Sequence, residues 1–330
     1  MKNEMKRISL LLFTLSLFLA LPGKAQKGAS VPTQPLGAGA PVNPIRVALL
    51  RWYLVNTTTS VTVGNQPYGV CFDGANIWTA NYGGSSVTKV RAADGAVLGT
   101  FTVPPGPYGV AFDGANIWAT GSVNGNVTKL RASDGKNLGT FNVGKLPFWL
   151  AFDGANIWVV NSDYTDNTVT KLRASDGKNL GTFAVGSSPI GIAFDGANVW
   201  VTNYGGGTVS KLRASDGTTL GTFTVGFRPL GIAFDGANMW VANRDGGSVT
   251  KMRASDGTVL GTFTVATGPY GLAFDGTNIW VGGDPYLEIL RASDGTLLWE
   301  SPGPVGIAGI AFDGANVWAT NATGSTISKY

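Results

Sequence analysis

Residues 191 to 226, GIAFDGANVWVTNYGGGTVSKLRASDGTTLGTFTVG, alternate apolar runs with short polar breaks. GIAF and VWVT are joined by DGAN, whose Asp-Gly pair favours a tight hairpin turn. TVSKLR and LGTFTV follow around ASDG, a second turn in which glycine tolerates a positive φ. The pattern predicts four short antiparallel strands, A to D. Runs so continuously apolar predict sheets covered on both faces rather than half-exposed ones.

The wording recurs along the chain. Phe-Asp-Gly begins at Phe72, Phe112, Phe152, Phe194, Phe234, Phe274 and Phe312, with spacings of 40, 40, 42, 40, 40 and 38 residues. A period near 40 with four strands per copy predicts an all-β fold, a seven-bladed β-propeller of four-stranded antiparallel blades over residues 46–330. The recurring Trp78, Trp118, Trp158, Trp200, Trp240, Trp280 and Trp318 are then expected to pack blade against blade. The last copy stops at STISKY, after strand C, and NTTTSVTVG, Asn56 to Gly64, aligns without a gap with strand D of copy four. The N-terminal strand is therefore expected to complete the last blade and remove the open edges of the stack. VALLR, within residues 46–53, also resembles strand C and is expected to form a covering or fifth strand. Copy six is irregular: GGDPYLEIL replaces NYGGGTVSKL, and the return runs through SPGPVG.

Composition adds that 44% of the residues are hydrophobic and 13% charged, enough for a large core and too little charge for a disordered chain. The opening MKNEMKRISLLLFTLSLFLALPGKAQ reads as a signal peptide over residues 1–25, cleaved near Ala25. Its apolar run is shorter than the roughly 20 residues of a bilayer span, so no membrane span is expected in the mature chain. The destination is then the periplasm, cell surface or exterior. Residues 26–45, rich in Pro, Gly and Ala, read as a flexible linker. Four of the chain's cations and one anion lie in the signal, so the formal net charge of +4 falls to +1 on cleavage. That balance argues against a nucleic-acid partner. Cys71 is the single cysteine and stands where other copies carry Ala, which makes it a small core residue.

The turns DGAN and ASDG hardly change between copies, and they share one face of the disc. The B-to-C loops and the D-to-A crossovers share the other face and differ in every copy: NYGGSS, GSVNGN, NSDYTDNT, NYGGGT, NRDGGS, GGDPYL and NATGST, with crossovers such as GNQPYG, GKLPFW and GFRPLG. Variable loops on a rigid scaffold are where binding residues collect. This face presents Tyr68, Tyr82, Tyr108, Phe148, Trp149, Tyr164, Tyr204, Phe227, Arg228, Arg244, Asp245, Tyr270 and Tyr286 among Asn, Ser and Gly. Such a mixture suits recognition of a peptide, glycan or protein, with the chain acting as a monomer. The alternative for each Tyr or Phe is plain packing of a crossover on the next blade.

Chemistry-bearing constellations are scarce. Asp163 and Asp166 in the longest loop offer two carboxylates, whereas Ca²⁺ needs six to eight oxygens, so no metal site is expected. The Asp of each Phe-Asp-Gly recurs identically and is expected to shape its turn. The Lys and Arg of SKLRASDG are expected to be solvated or to anchor their turn. No phosphate-cradling loop or nucleophile elbow occurs, and no cofactor is expected.

VWVTNYGGGTVSKL resembles the YVTN-type β-propeller repeat of exported bacterial and archaeal proteins, and the match recurs over residues 57 to 330. The resemblance implies a seven-bladed fold; members include surface-layer proteins, binding modules and a minority of enzymes. Streptogramin lyases are similar propellers whose chemistry uses a histidine base and magnesium, and this chain contains no histidine. ASDGTLLWE, Ala292 to Glu300, resembles the blade ending of quinoprotein dehydrogenases, in one copy only. The expected function is an exported, non-catalytic binding module; the alternatives are a propeller enzyme of lyase or quinone-linked type and a purely structural envelope protein.

Overall fold

A computed structural model describes residues 59–266, 268–302 and 306–330. The segments read as signal peptide, as linker and as the VALLR strand lie outside the described residues. Twenty-eight strands, β1 (Thr59–Thr62) to β28 (Thr326–Lys329) in chain order, form seven four-stranded antiparallel sheets. Blade 4 shows the pattern: strand A is β14 (Pro189–Phe194), B is β15 (Asn198–Asn203), C is β16 (Thr208–Arg213) and D is β17 (Thr219–Thr224). The A strands, β2 (Pro67–Phe72), β6 (Val110–Phe112), β10 (Pro147–Phe152), β14, β18 (Pro229–Phe234), β22 (Gly271–Phe274) and β26 (Ile310–Phe312), lie innermost, each beside the next, with β26 beside β2. The ring is closed. Its last sheet runs β1, β28, β27 (Val317–Asn321), β26, so the N-terminal strand supplies strand D of blade 7, as its alignment predicts.

B and C strands are buried along nearly their whole length, whereas D strands alternate between exposed and half-covered positions. The apolar core is therefore seven wedges between blades. Each Trp of strand B packs on residues of the following blade, as Trp78 does on Val110 and Ile117. Cys71 belongs to that wedge, and burial pushes its thiol well up, so it is no reactive thiolate.

Polar groups lock the wedges at the uniform face. Asp195 Oδ1 accepts the N–H groups of Ala197 and Asn198 at 2.9 and 2.6 Å, and Oδ2 accepts Trp200 Nε1–H at 2.7 Å. The carboxylate thus shapes the A-to-B turn and fixes the indole, and the same bonds recur in all seven copies. The lysines correct the expectation of solvation. Lys211 is buried, donates to the carbonyls of Ala254 and Ser255 in the next blade at 2.7 and 3.0 Å, and lies 4.9 Å over the Trp200 ring. The strand lies in a wedge, so its ammonium finds carbonyls rather than water. Arg213 does anchor its turn, pairing with Asp216 at 3.0 Å.

One seam lacks this lysine. Blade 7 takes its C and D strands from opposite chain ends, so it has no C-to-D turn to offer carbonyls to blade 6. There the lysine position holds Ile289, and Trp299 and Tyr330 pack against Trp280 instead. The quinoprotein-like Trp299 is a seam residue: it replaces glycine while Ser301 replaces the usual Phe, an exchange of bulk within one strand.

Candidate functional site

On the variable face each crossover turns sharply into strand A. The residue that opens this turn has a left-handed backbone in all seven copies: Gly106, Gly268 and Gly306 in three, but Gln66, Leu146, Ser188 and Arg228 in four, with φ between 47 and 52°. A side chain there carries a steric cost of roughly 1–2 kcal/mol, and such strain collects at functional surfaces. The following Pro, as in Pro67, Pro147, Pro189 and Pro229, starts the inner strand. The geometry delivers the next side chain to the rim of the central channel.

Two groups of predicted residues meet there. Tyr68, Tyr82, Tyr108 and Phe148 form a ladder with ring centroids 5.1 Å (Tyr68–Tyr108), 4.6 Å (Tyr82–Tyr108) and 3.9 Å (Tyr108–Phe148) apart. Opposite, Arg228 lies 5.3 Å over both Tyr204 and Phe227 and pairs with Asp245 at 2.7 Å, while Arg244 lies 5.8 Å over Tyr270 and only 3.8 Å from Asp245. Two arginines thus share one carboxylate. Tyr68, Arg244 and Tyr270 interact electrostatically and wall a common cleft of about 600 Å³, together with Asp245, Asp284 and Ala308.

The phenols are held protonated. Burial, then the neighbouring Tyr82, pushes Tyr68 up; burial and the Tyr82 hydrogen bond push Tyr108 further; burial, then Tyr68, pushes Tyr270 up to about 12. At neutral pH these three side chains therefore offer neutral O–H donors and π faces.

The remaining predicted residues lie elsewhere. Trp149 does not stand on the rim but points into the channel one step below Phe148, 6.4 Å from its ring. Asp163, Tyr164 and Asp166 lie on the blade 3 loop beside a separate open groove. Asp163 accepts the Thr165 N–H at 2.8 Å and the Thr165 hydroxyl, and Asp166 accepts the Lys145 N–H at 2.7 Å, so both carboxylates shape the loop. Tyr164 is 79% exposed. Tyr286 opens β24 (Tyr286–Arg291) opposite Pro302, away from both groups. No cluster of three or more His, Cys, Asp or Glu side chains suited to a metal occurs among the described residues.

Some site features escaped the sequence reading. Asp284 and Ala308 of the cleft lie in irregular copies six and seven, where alignment is weakest. The buried Glu288 was legible as the one acid in a C strand. In regular blades an Asn at the end of strand B accepts the first crossover N–H, as Asn203 does from Gly186 at 3.0 Å. Blade 6 has Gly283 there, and Glu288 reaches across to accept the Ala266 N–H at 3.0 Å with both oxygens. Blade 2 solves the same problem differently: Pro104 has no N–H to satisfy, Gly121 replaces the Asn, and Asn126 fills the gap with its Oδ1 left unpartnered.

No family model matches the chain, and no curated protein does. Solved structures of similar fold include hydrazine synthase from Kuenenia stuttgartiensis (TM-score 0.71, 18% identity, 82% of this chain and 96% of that one). A streptogramin B lyase is similar at a TM-score of 0.70 and 18% identity, over 82% of this chain and 96% of its own. A catalytically inactive histidine-to-alanine variant of virginiamycin B lyase from Staphylococcus aureus, with quinupristin, aligns at a TM-score of 0.70 and 18% identity over 83% and 98%. At that identity the likeness establishes the seven-bladed fold and nothing finer. No helix among the described residues is long and apolar enough to cross a membrane.

Proposed function

We propose that the chain is an exported, non-catalytic recognition module that docks a peptide segment over the channel mouth of its variable face. The observation that carries this reading is the convergence of Tyr68, Tyr270, Arg244 and Asp245, from three different blades, on one open cleft. Neutral phenols, guanidinium groups and a shared carboxylate supply donors, acceptors and flat apolar surfaces, which match a peptide backbone with its side chains. The repeat resemblance and the N-terminal residues 1–25 support export; N-terminal sequencing of protein recovered from outside the cytoplasm, expected to begin near Gln26, tests it.

The enzyme reading has weaker support. Lyase chemistry of the similar propellers would need a histidine base and magnesium. This chain has no histidine, and at the mouth Asp245 is already engaged by Arg228. The residues present do not fit that ion.

A peptide and glycan array probed with the exported protein tests the proposal. Peptide hits that weaken at least tenfold in Arg244→Ala and Tyr68→Ala are expected. Hits confined to glycans, or peptide hits indifferent to both substitutions, would refute docking of peptides at this mouth.

A further inference from the structure

Directly beneath the cleft the channel holds a second, smaller space of about 100 Å³, walled by Val70, Leu150, Ile192, Ile232, Leu272 and Ile310 and bounded by Trp149. The six aliphatic residues occupy one equivalent position in six blades, directly after the x-Gly or Phe-Trp step of strand A. Cleft and channel space share Tyr270 and Ala308 as walls, so the floor of one adjoins the roof of the other.

Trp149 is the exception that shapes this space. Every other blade has glycine at its position: Gly69, Gly109, Gly191, Gly231, Gly271 and Gly309. Inner strands crowd there, and a Cβ on Gly191 would come within 2.0 Å of the Leu230 carbonyl oxygen, or on Gly309 within 2.3 Å of that of Tyr68. The bare backbone of blades 1 and 2 leaves room for the indole, whose Cζ3 lies 3.1 Å from where a Cβ on Gly69 would sit. The ring therefore crosses from blade 3 past blade 2 to blade 1. A residue present only to fill the core would leave no space beside it, whereas this one leaves a lined apolar hollow.

We infer that the hollow is a specificity pocket of the peptide site, taking one aliphatic side chain of about four carbons, with Trp149 as the residue that sets its depth. The inference rests on docking at the mouth. An apolar cavity of about 150 Å³ accepts benzene, so a hollow of this size suits a group slightly smaller, the side chain of leucine or isoleucine. A polar isostere would give up hydrogen bonds to water on entry, and the six aliphatic side chains of the wall return none.

The probes are N-acetyl-leucinamide, its near-isosteric partner N-acetyl-asparaginamide, and N-acetyl-phenylalaninamide, followed by NMR with the full chain. The leucine probe is expected to bind about tenfold or more tightly than the asparagine probe. Ile232→Phe should abolish leucine binding by filling the hollow, and Ile192→Phe does the same from the neighbouring blade should the first variant fail to fold. Trp149→Gly, which restores the common residue and deepens the space, should shift preference toward the phenylalanine probe. Equal response to leucine and asparagine probes, no response to either, or a preference unmoved by Trp149→Gly would overturn the pocket. Peptide hits that depend on Arg244 but not on any aliphatic residue would overturn it while leaving docking at the mouth intact. Leucine binding that persists in Arg244→Ala would retain the pocket and remove the mouth.

Discussion

On the uniform face the polar groups of the regular blades serve the buried seams: Asp195 fixes Trp200 within its own blade, Lys211 reaches Ala254 and Ser255 of the next, and equivalent bonds recur in the other regular blades. On the variable face Arg228 pairs with Asp245 of an adjacent loop and Arg244 approaches it within its own loop, and their side chains stay about one-third to one-half exposed. The difference shows where the ring derives its cohesion. A turn whose donors and acceptors serve a buried seam tolerates few side chains, and a loop that closes no seam can carry many.

The sharpest way to break this contrast is to reopen the ring. A chain beginning at Gln66 lacks β1 and bares the edge of β28. It is expected to lose cooperative melting and to form concentration-dependent oligomers by light scattering; a monomer that melts unchanged would show that closure carries no weight. Next in size, Trp200→Ala leaves a cavity in a wedge and should cost about 3–5 kcal/mol in urea denaturation. Lys211→Met keeps the stem but strands two carbonyls of the next blade, so about 1–3 kcal/mol is expected. A loss below about 0.5 kcal/mol would mean that water already serves those carbonyls.

A smaller effect sharpens the comparison through pH. Burial raises the Glu288 carboxyl above 4.5, the Ala266 N–H offsets this in part, and Glu300 across the strand pair raises it further. The folded state then holds the proton more tightly than the unfolded one. Its stabilising contribution is complete below the unfolded value and is lost as pH rises through the folded value. Glu288→Gln should flatten the fall of stability above about pH 4.5, read by urea midpoints across the range. The A-to-B turn carboxylates act oppositely. Asp195 and Asp235 are raised by burial but lowered more by Trp, Asn and backbone donors, so their contribution is lost as pH falls below 3.8. Smallest of all, Phe227→Ser on the exposed rim should change stability by less than about 0.5 kcal/mol while weakening peptide capture.

Much of this was legible beforehand because repetition is local. Each copy states its strands by apolar runs and its turns by Asp-Gly, and the missing strand D betrayed the closure at Thr59–Thr62. The aromatic rim was legible too, since a Tyr after Pro recurs at Tyr68, Tyr108 and Tyr270. For Lys211 the sequence allows a solvated or a turn-anchoring cation between Ser210 and Leu212, and the neighbouring blade, which places carbonyls of its own turn at the ammonium, decides for the latter. Which way Trp149 faces was not legible, because its chain neighbours are rim residues while its side chain turns into the channel.

The sequence by itself determined the number of blades, the strand order and which face varies, since all three follow from period, turn chemistry and alternation within one copy. Only the tertiary structure decided which loops meet at one cleft, which seam lacks its lysine and how deep the channel is. Those depend on distances between residues of different blades, about 40 positions or more apart in the chain, and no local pattern encodes such distances.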